Sequence, residues 1–333
     1  MPPRACTADA GTNIALVKYW GKRDSGLNLP CAGSLSLTLR ELGTRTTVRF
    51  GADVGGQDRV ILNGQEATGR ASSRVSAFLD LVRERAGVDA RAEVITENSV
   101  PTSAGLASSA SGFAALALAA TRAAGLTLGP AELSALARRG SGSAARSIFG
   151  GFVEMHAGSR ADGTDAFATP ILEGDAWPLQ LVVAVTTEAP KTIGSTEAME
   201  RTARTSPYFR AWVDSVDADL RDARDAIATR NLNQLGAVAE RSALRMHASA
   251  LAADPAILYW SPATMAAMET VHQLRARGVN AYFTIDAGPH VKVLCEVAAV
   301  TTVEAALQAT PGVLRTIATS PGPAARILSE LGS

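Results

Sequence analysis

Cysteine is scarce in this chain, with Cys6, Cys31 and Cys295 the only three in 333 residues. An odd number without metal-ligand spacing supplies neither a disulfide framework nor a zinc knuckle, and fits thiols used as small buried hydrophobes in a reducing compartment. The four histidines, His156, His247, His272 and His290, are scattered and form no H-E-x-x-H, so none is assigned to a metal. Aromatic residues make up 5%, which leaves Ala, Leu and Val to build the core. Neither sign of charge is in excess, 32 Lys plus Arg against 32 Asp plus Glu, so no overall field draws the chain to nucleic acid or to an anionic membrane. Any anionic ligand must be held by a local cluster. Long apolar runs are missing too: residues 113–120 are the most apolar stretch and fall short of the ~20 needed to span a bilayer. The opening MPPRACTADAGTN has one Arg and no apolar h-region, so a secretory signal is not expected and the cytoplasm is. No G-x-x-x-x-G-K-[ST] occurs, which excludes the P-loop design for any bound nucleotide.

What the chain does have is a mixed order of strands and helices. Alternation over residues 34–39 and the β-branched run 46–50 predict two early strands, and residues 60–62 before Asn63-Gly64 predict the first arm of a hairpin. Val75, Phe78, Leu79 and Val82 recur at helical spacing within 72–85. A strand near 93–96 leads into a long Ala-rich helix that Gly125 ends at its C′ position, and Pro130 suits the first turn of the next helix, 131–139. The glycine-rich stretch 140–143 follows, then a strand at 152–155. Strands at 181–185, 281–285 and 291–295 and helices near 209–228, 232–250 and 263–277 make up the second half. Strands and helices do not strictly alternate, so α+β is favoured over a doubly wound sheet, and the length suits two domains.

Four segments carry candidate chemistry. Residues 101–110, PTSAGLASSA, stand between a strand and a helix; small residues and unpaired N–H groups there suit a phosphate, although a tightly packed helix start would read the same way. Residues 140–145 match G-x-G-x-x-A, but the element before them is a helix, so a dinucleotide fold is rejected; their serines and Arg146 suit a second anion, with an ordinary surface arginine as the alternative. Lys18 sits in the apolar run 13–20 and needs either a buried anionic partner or a path to the surface. Asp286 ends an apolar strand before a Gly-Pro turn, where a carboxylate can serve as a base or merely cap the turn.

Together these segments resemble the mevalonate diphosphate decarboxylase branch of the GHMP kinase superfamily: NIALVKYWGKR at 13–23, PTSAGLASSASG at 101–112, GSGSAARSIFGG at 140–151 and DAGPHVK at 286–292, with weaker similarity over 191–208. The resemblance implies an α+β two-domain fold, a ribosomal protein S5 domain 2-like part over 1–180 and a ferredoxin-like part over 181–333, with the active site between them. It implies ATP and Mg²⁺ as cofactors, mevalonate 5-diphosphate as the small-molecule substrate, and a homodimer. Asp286 is similar to the catalytic aspartate, Lys18 to the lysine beside it, and Arg146 and Asn13 to the residues holding the substrate carboxylate and reacting centre. Tyr19, Lys22, Ser141, Ser143 and Ser195 match the group that contacts the 5-diphosphate. Ser103, Ala104, Gly105, Leu106, Ala107, Ser108 and Ser109 match the ATP phosphate loop, with Arg74 near the nucleotide. Alternatives within the branch are a decarboxylase of the 5-monophosphate and a 3-kinase. His290 departs from the pattern, which has Asn after DAGP.

Overall fold

The computed structural model describes residues 5–99 and 108–331. Two sheets organise it. The first has eight strands, in the order β14-β1-β4-β7-β5-β6 with β8 joined to β4 and β9 (Ala168–Leu172) to β8. Its centre is the antiparallel pair β1 (Ala5–Val17) and β4 (Ser34–Phe50), and β7 (Ala92–Asn98) and β8 (Phe152–Met155) each pair with a different half of β4. The two strands expected at 34–39 and 46–50 are thus one strand of 17 residues, running through the exposed Arg40 and Glu41 because each half finds its own partner. The hairpin expected after residue 60 is β5 (Arg59–Leu62) and β6 (Gln65–Glu66). The last strand, β14 (Arg326–Leu331), returns from the far end of the chain to pair with the start of β1.

Against this sheet lies α2 (Ser108–Ala123), flanked by α1 (Arg70–Ala86) and α3 (Pro130–Gly140). Ala114, Ala115, Ala117, Ala119 and Ala120 are fully buried, so the helix packs close to the strands through methyl groups. Gly125 follows with φ +79°, and its N–H donates to Arg122 O at 2.9 Å. That left-handed position ends the helix without penalty. Residues 140–143 are not an open loop: Gly140 closes α3, and Gly142–Ile148 forms a 3₁₀ helix held between α3, α2 and the sheet.

The second sheet is antiparallel, in the order β11-β12-β10-β13. It comprises β10 (Leu179–Val185), β11 (Ala281–Ile285), β12 (Val291–Glu296) and β13 (Arg315–Thr319). Helices α6 (Leu232–Leu251), α7 (Pro262–Ala276) and α8 (Val300–Gln308) pack on it, while α4 (Ser195–Thr205) and α5 (Phe209–Ala228) lie on α6, with α5 reaching the first sheet. One apolar core runs from Ile14 and Leu37 of the first sheet, through Trp212, Leu220, Leu235 and Met246 of α5 and α6, to Leu181 and Val183 of the second. Burying each such side chain contributes about 1.5–3 kcal/mol, which fixes the two sheets relative to each other. The architecture is α+β, and among the described residues no helix is long and apolar enough to cross a membrane.

Candidate active site

The ends of β1 and β11 meet where the two sheets face each other. Lys18, the residue after β1, is 2% exposed, and its ammonium donates to Ala15 O at 2.8 Å and to Asp286 Oδ1 at 2.7 Å. Its backbone N–H donates to Ser242 Oγ of α6 at 3.0 Å, which fixes the start of the side chain. Of the two sequence options for Lys18, the structure has the buried partner. Asp286 follows β11; its side chain is 28% exposed, and Lys292 Nζ of β12 stands 3.3 Å from Oδ2. The carboxylate therefore binds two ammonium groups rather than capping the turn. Burial raises the Asp286 pKa, but Lys18 and Lys292 outweigh it and hold the carboxyl well below the usual range. Burial pulls Lys18 down to about 8 against the attraction of Asp286, with Lys292 and Arg146 adding repulsion.

Arg146, in the 3₁₀ helix, is also 2% exposed. It donates to Ser34 Oγ at 2.6 Å, Ser36 Oγ at 3.0 Å and Asn13 Oδ1 at 3.1 Å. Asn13 is oriented by its own bonds to Ser143 O and Ser147 Oγ, at 3.0 and 2.7 Å. All of these partners are neutral; among the described residues no carboxylate lies within ion-pair distance of the guanidinium. Burial lowers its pKa to about 10, so it stays charged at neutral pH. A buried cation with neutral partners on the wall of a cavity is a receptor for an anion.

The cavity measures about 940 Å³. Asn13, Lys18, Tyr19, Lys22, Arg74, Ser109, Ser141, Ser143, Arg146, Ser195 and Asp286 all line it, although up to 273 residues separate them in sequence. Ser109 and Ser141 hydroxyls are 3.5 Å apart, and Ser141 and Ser143 hydroxyls 3.3 Å. The Tyr19 hydroxyl is buried with no partner among the described residues, and burial raises its pKa. Gly142 makes its approach feasible, because a Cβ there would collide with the hydroxyl oxygen. Arg74 donates to Gly140 O at 3.0 Å, with its guanidinium 5.0 Å from the Phe113 ring centre. Ser103, Ala104, Gly105, Leu106 and Ala107 lie outside the described residues, as does the side chain of Ser108.

Sequence reasoning missed part of the lining. Among the described residues, Arg70, Arg139 and Lys191 bring the cations on the wall to seven, with Lys18, Lys22, Arg74 and Arg146, against the carboxylates of Glu197 and Asp286. The first turn of α4, from Gly194 to Glu197, also faces the cavity and has no side-chain cap. Its N–H groups and dipole suit an anion. Lys292 was missed as well, although a lysine inside the otherwise apolar stretch 291–295 carries the same signal that singled out Lys18. Among the described residues no group of three His, Cys, Asp or Glu could hold a metal by itself. The available donors are hydroxyl oxygens such as Ser109 and Ser141, hard ligands that fit a Mg²⁺ brought in on nucleotide phosphates.

Comparison with known proteins places this geometry in context. The model of the Diphosphomevalonate decarboxylase-like N-terminal domain matches residues 10–168, and that of the Mevalonate 5-diphosphate decarboxylase C-terminal domain matches residues 181–320. Diphosphomevalonate decarboxylase mvd1 of Aspergillus fumigatus is 38% identical over 306 residues, spanning 86% of this chain and 76% of its own. The crystal structure of mevalonate diphosphate decarboxylase from Staphylococcus aureus aligns with a TM-score of 0.93 at 38% identity over 98% of both chains. A structure of MDDEF in complex with MVAPP, AMPPCP and magnesium aligns at 0.92, with 41% identity over 98% of this chain and 99% of that one.

Proposed function

The chain belongs to the diphosphomevalonate decarboxylase family, and from that premise we propose how its cavity converts mevalonate 5-diphosphate and ATP into isopentenyl diphosphate, carbon dioxide, ADP and phosphate. The observation that carries this reading is the pairing of Lys18 with Asp286 beside the buried guanidinium of Arg146, whose partners among the described residues are all neutral, in one strongly cationic cavity. The substrate presents the complementary groups: a carboxylate for Arg146, a tertiary hydroxyl for Asp286, and a diphosphate for Tyr19, Lys22, Ser141, Ser143 and Ser195. The uncapped first turn of α4 adds N–H donors for that diphosphate. The phosphate loop at 103–109 and Arg74 take the nucleotide. We assign 1–180 and 181–333 as the two domains of the GHMP fold, with β14 as the strand that crosses back.

Asp286, held as a carboxylate, is a weak base. It orients the C3 hydroxyl and accepts its proton only as the oxygen bonds to the γ-phosphorus, which suits the loose transition state of phosphoryl transfer. Lys18 neutralises charge beside it. When bound with the nucleotide, Mg²⁺ supplies further charge neutralisation at the phosphates, and Ser109 and Ser141 are the residues that would hold it. The C3–O bond then breaks, and phosphate departs with the C3 oxygen. The electron pair of the C1–C2 bond moves to C2–C3, and carbon dioxide leaves. Arg146 already shares its donors among Ser34, Ser36 and Asn13, so it aligns the carboxylate without gripping it so tightly that loss of carbon dioxide is opposed.

The test is release of carbon dioxide and ADP by the purified protein with Mg²⁺, run on mevalonate 5-diphosphate, mevalonate 5-phosphate and mevalonate. Equimolar release from the diphosphate supports the proposal. Release from the monophosphate alone, or ADP without carbon dioxide, overturns it. A homodimer in the cytoplasm is part of the same proposal, rests on family membership alone, and is checked by light scattering and cell fractionation.

A further inference from the structure

Lys292 does not itself line the cavity, and the reaction as described gives it no task. It occupies a place where an apolar residue would serve the fold, since every other residue of β12 up to Cys295 is buried. Its side chain is 3% exposed, and burying an ammonium costs several kcal/mol unless an anion compensates it. The anion is Asp286, at 3.3 Å. The sheet fixes how they meet: Lys292 is the cross-strand partner of Thr284 on β11 and of Val183 on β10, so its backbone is held on both sides. Asp286 stands on the turn that leaves β11, and Pro289 O of that turn accepts from Thr264 Oγ1 at 2.7 Å and Thr186 Oγ1 at 3.2 Å.

We infer that Lys292 is a positioning residue for the reaction, holding Asp286 Oδ2 from the second sheet while Lys18 holds Oδ1 from the first, so that the carboxylate cannot rotate about its Cβ–Cγ bond away from the substrate hydroxyl. One ammonium alone would leave that rotation free, and a carboxylate turned out of line loses the near-attack geometry. The arrangement rests on the proposed function and specifies how its base is kept in place.

Among the described residues, the titratable groups that face this pair are Lys18, Arg146 and Lys191 as cations, and His247 of α6, whose Nε2 lies 3.3 Å from Ile285 O. Burial drives His247 down to about 3, so it is neutral across the working range and adds no charge. Lys292 lowers the pKa of both neighbours, by repelling the Lys18 proton and by stabilising ionised Asp286. Removing its charge therefore moves both upward.

The experiment compares wild type, Lys292→Met and Lys292→Arg, each first checked for an intact fold by circular dichroism and gel filtration. Lys292→Met is expected to lower kcat about 10- to 100-fold with KM for either substrate within about threefold, and to move the alkaline limb of kcat/KM upward. Lys292→Arg, which keeps the charge, is expected to return that limb to its wild-type position. A folded Lys292→Met with wild-type kcat and limb, or one that only melts earlier, overturns the inference, as does a folded Lys292→Arg whose limb stays displaced. Carbon-13 carboxyl NMR, with Asp286 assigned through Asp286→Asn, reads the pair without activity: its titration must move up in Lys292→Met. A wild type that releases no carbon dioxide sinks the proposed function, while the NMR titration still decides the role of Lys292.

Discussion

Replacing Asp286 by Asn keeps the shape of the side chain and removes its charge, so it isolates what the carboxylate does. The ammonium groups of Lys18 and Lys292, at 2.7 and 3.3 Å, lose their shared anion. Breaking a fully buried ion pair costs about 3–5 kcal/mol; because the Asp286 side chain is 28% exposed, water recovers part of this, and a loss of about 2 kcal/mol in the ligand-free protein is expected. The phosphates of the ligands supply counter-charge when bound, so nucleotide affinity should stay within about threefold. Turnover behaves differently. A positioned base contributes ~10²–10⁴, so kcat should fall at least ~10²-fold, a barrier increase of about 3–5 kcal/mol. The assay is carbon dioxide release at saturating substrates, with calorimetry for ATP binding and a thermal melt for the fold. A folded Asp286→Asn that binds ATP and turns over within about threefold of wild type would refute the assignment.

Arg146→Lys retains the charge but loses the planar fork shared among Ser34, Ser36 and Asn13; kcat/KM should fall ~10²-fold in steady-state assays with little change in ATP affinity. Raising pH through about 8 strips the proton from Lys18 and leaves Asp286 without the cation on Oδ1, so kcat/KM measured from pH 6 to 10 should fall on the alkaline side with a midpoint near that value. Asp286→Asn removes the attraction that raises the Lys18 pKa, so residual activity should show this limb at lower pH. Leu235→Ala, at a fully buried position of α6 between the two sheets, should cost about 2–5 kcal/mol in denaturant unfolding with kcat nearly unchanged in the folded fraction.

Much of the site was legible because buried charge is conspicuous in an apolar run. Lys18 and Asp286 each stood out at a strand end, 268 residues apart, yet each segment alone left a bland alternative open. Only the fold removes it, by bringing the two side chains to 2.7 Å. Arg146 is similar: its sequence allows an exposed arginine, and its burial depends on serines from β4 that no local pattern links to it. The periodic helices α5, α6 and α7 were readable from their apolar spacing. Several other elements were not, α4, the start of β1 and β14 among them. Helix α4 buries only Ala198, Met199 and Thr202, too weak a stripe to register. The start of β1 is written in small residues, Ala8, Ala10 and Gly11, that resemble a loop until α2 packs on them. Strand β14 is a mostly exposed edge whose partner among the described residues is β1, at the opposite end of the chain.

The central claim is that the C3 hydroxyl becomes a phosphate ester before carbon dioxide is lost. It is tested most directly with mevalonate 5-diphosphate carrying oxygen-18 in the C3 hydroxyl, by mass spectrometry of the inorganic phosphate released with ATP and Mg²⁺. The account predicts that the label appears in that phosphate, because the C3–O bond is the one that breaks. Label appearing in water, with unlabelled phosphate, would contradict it.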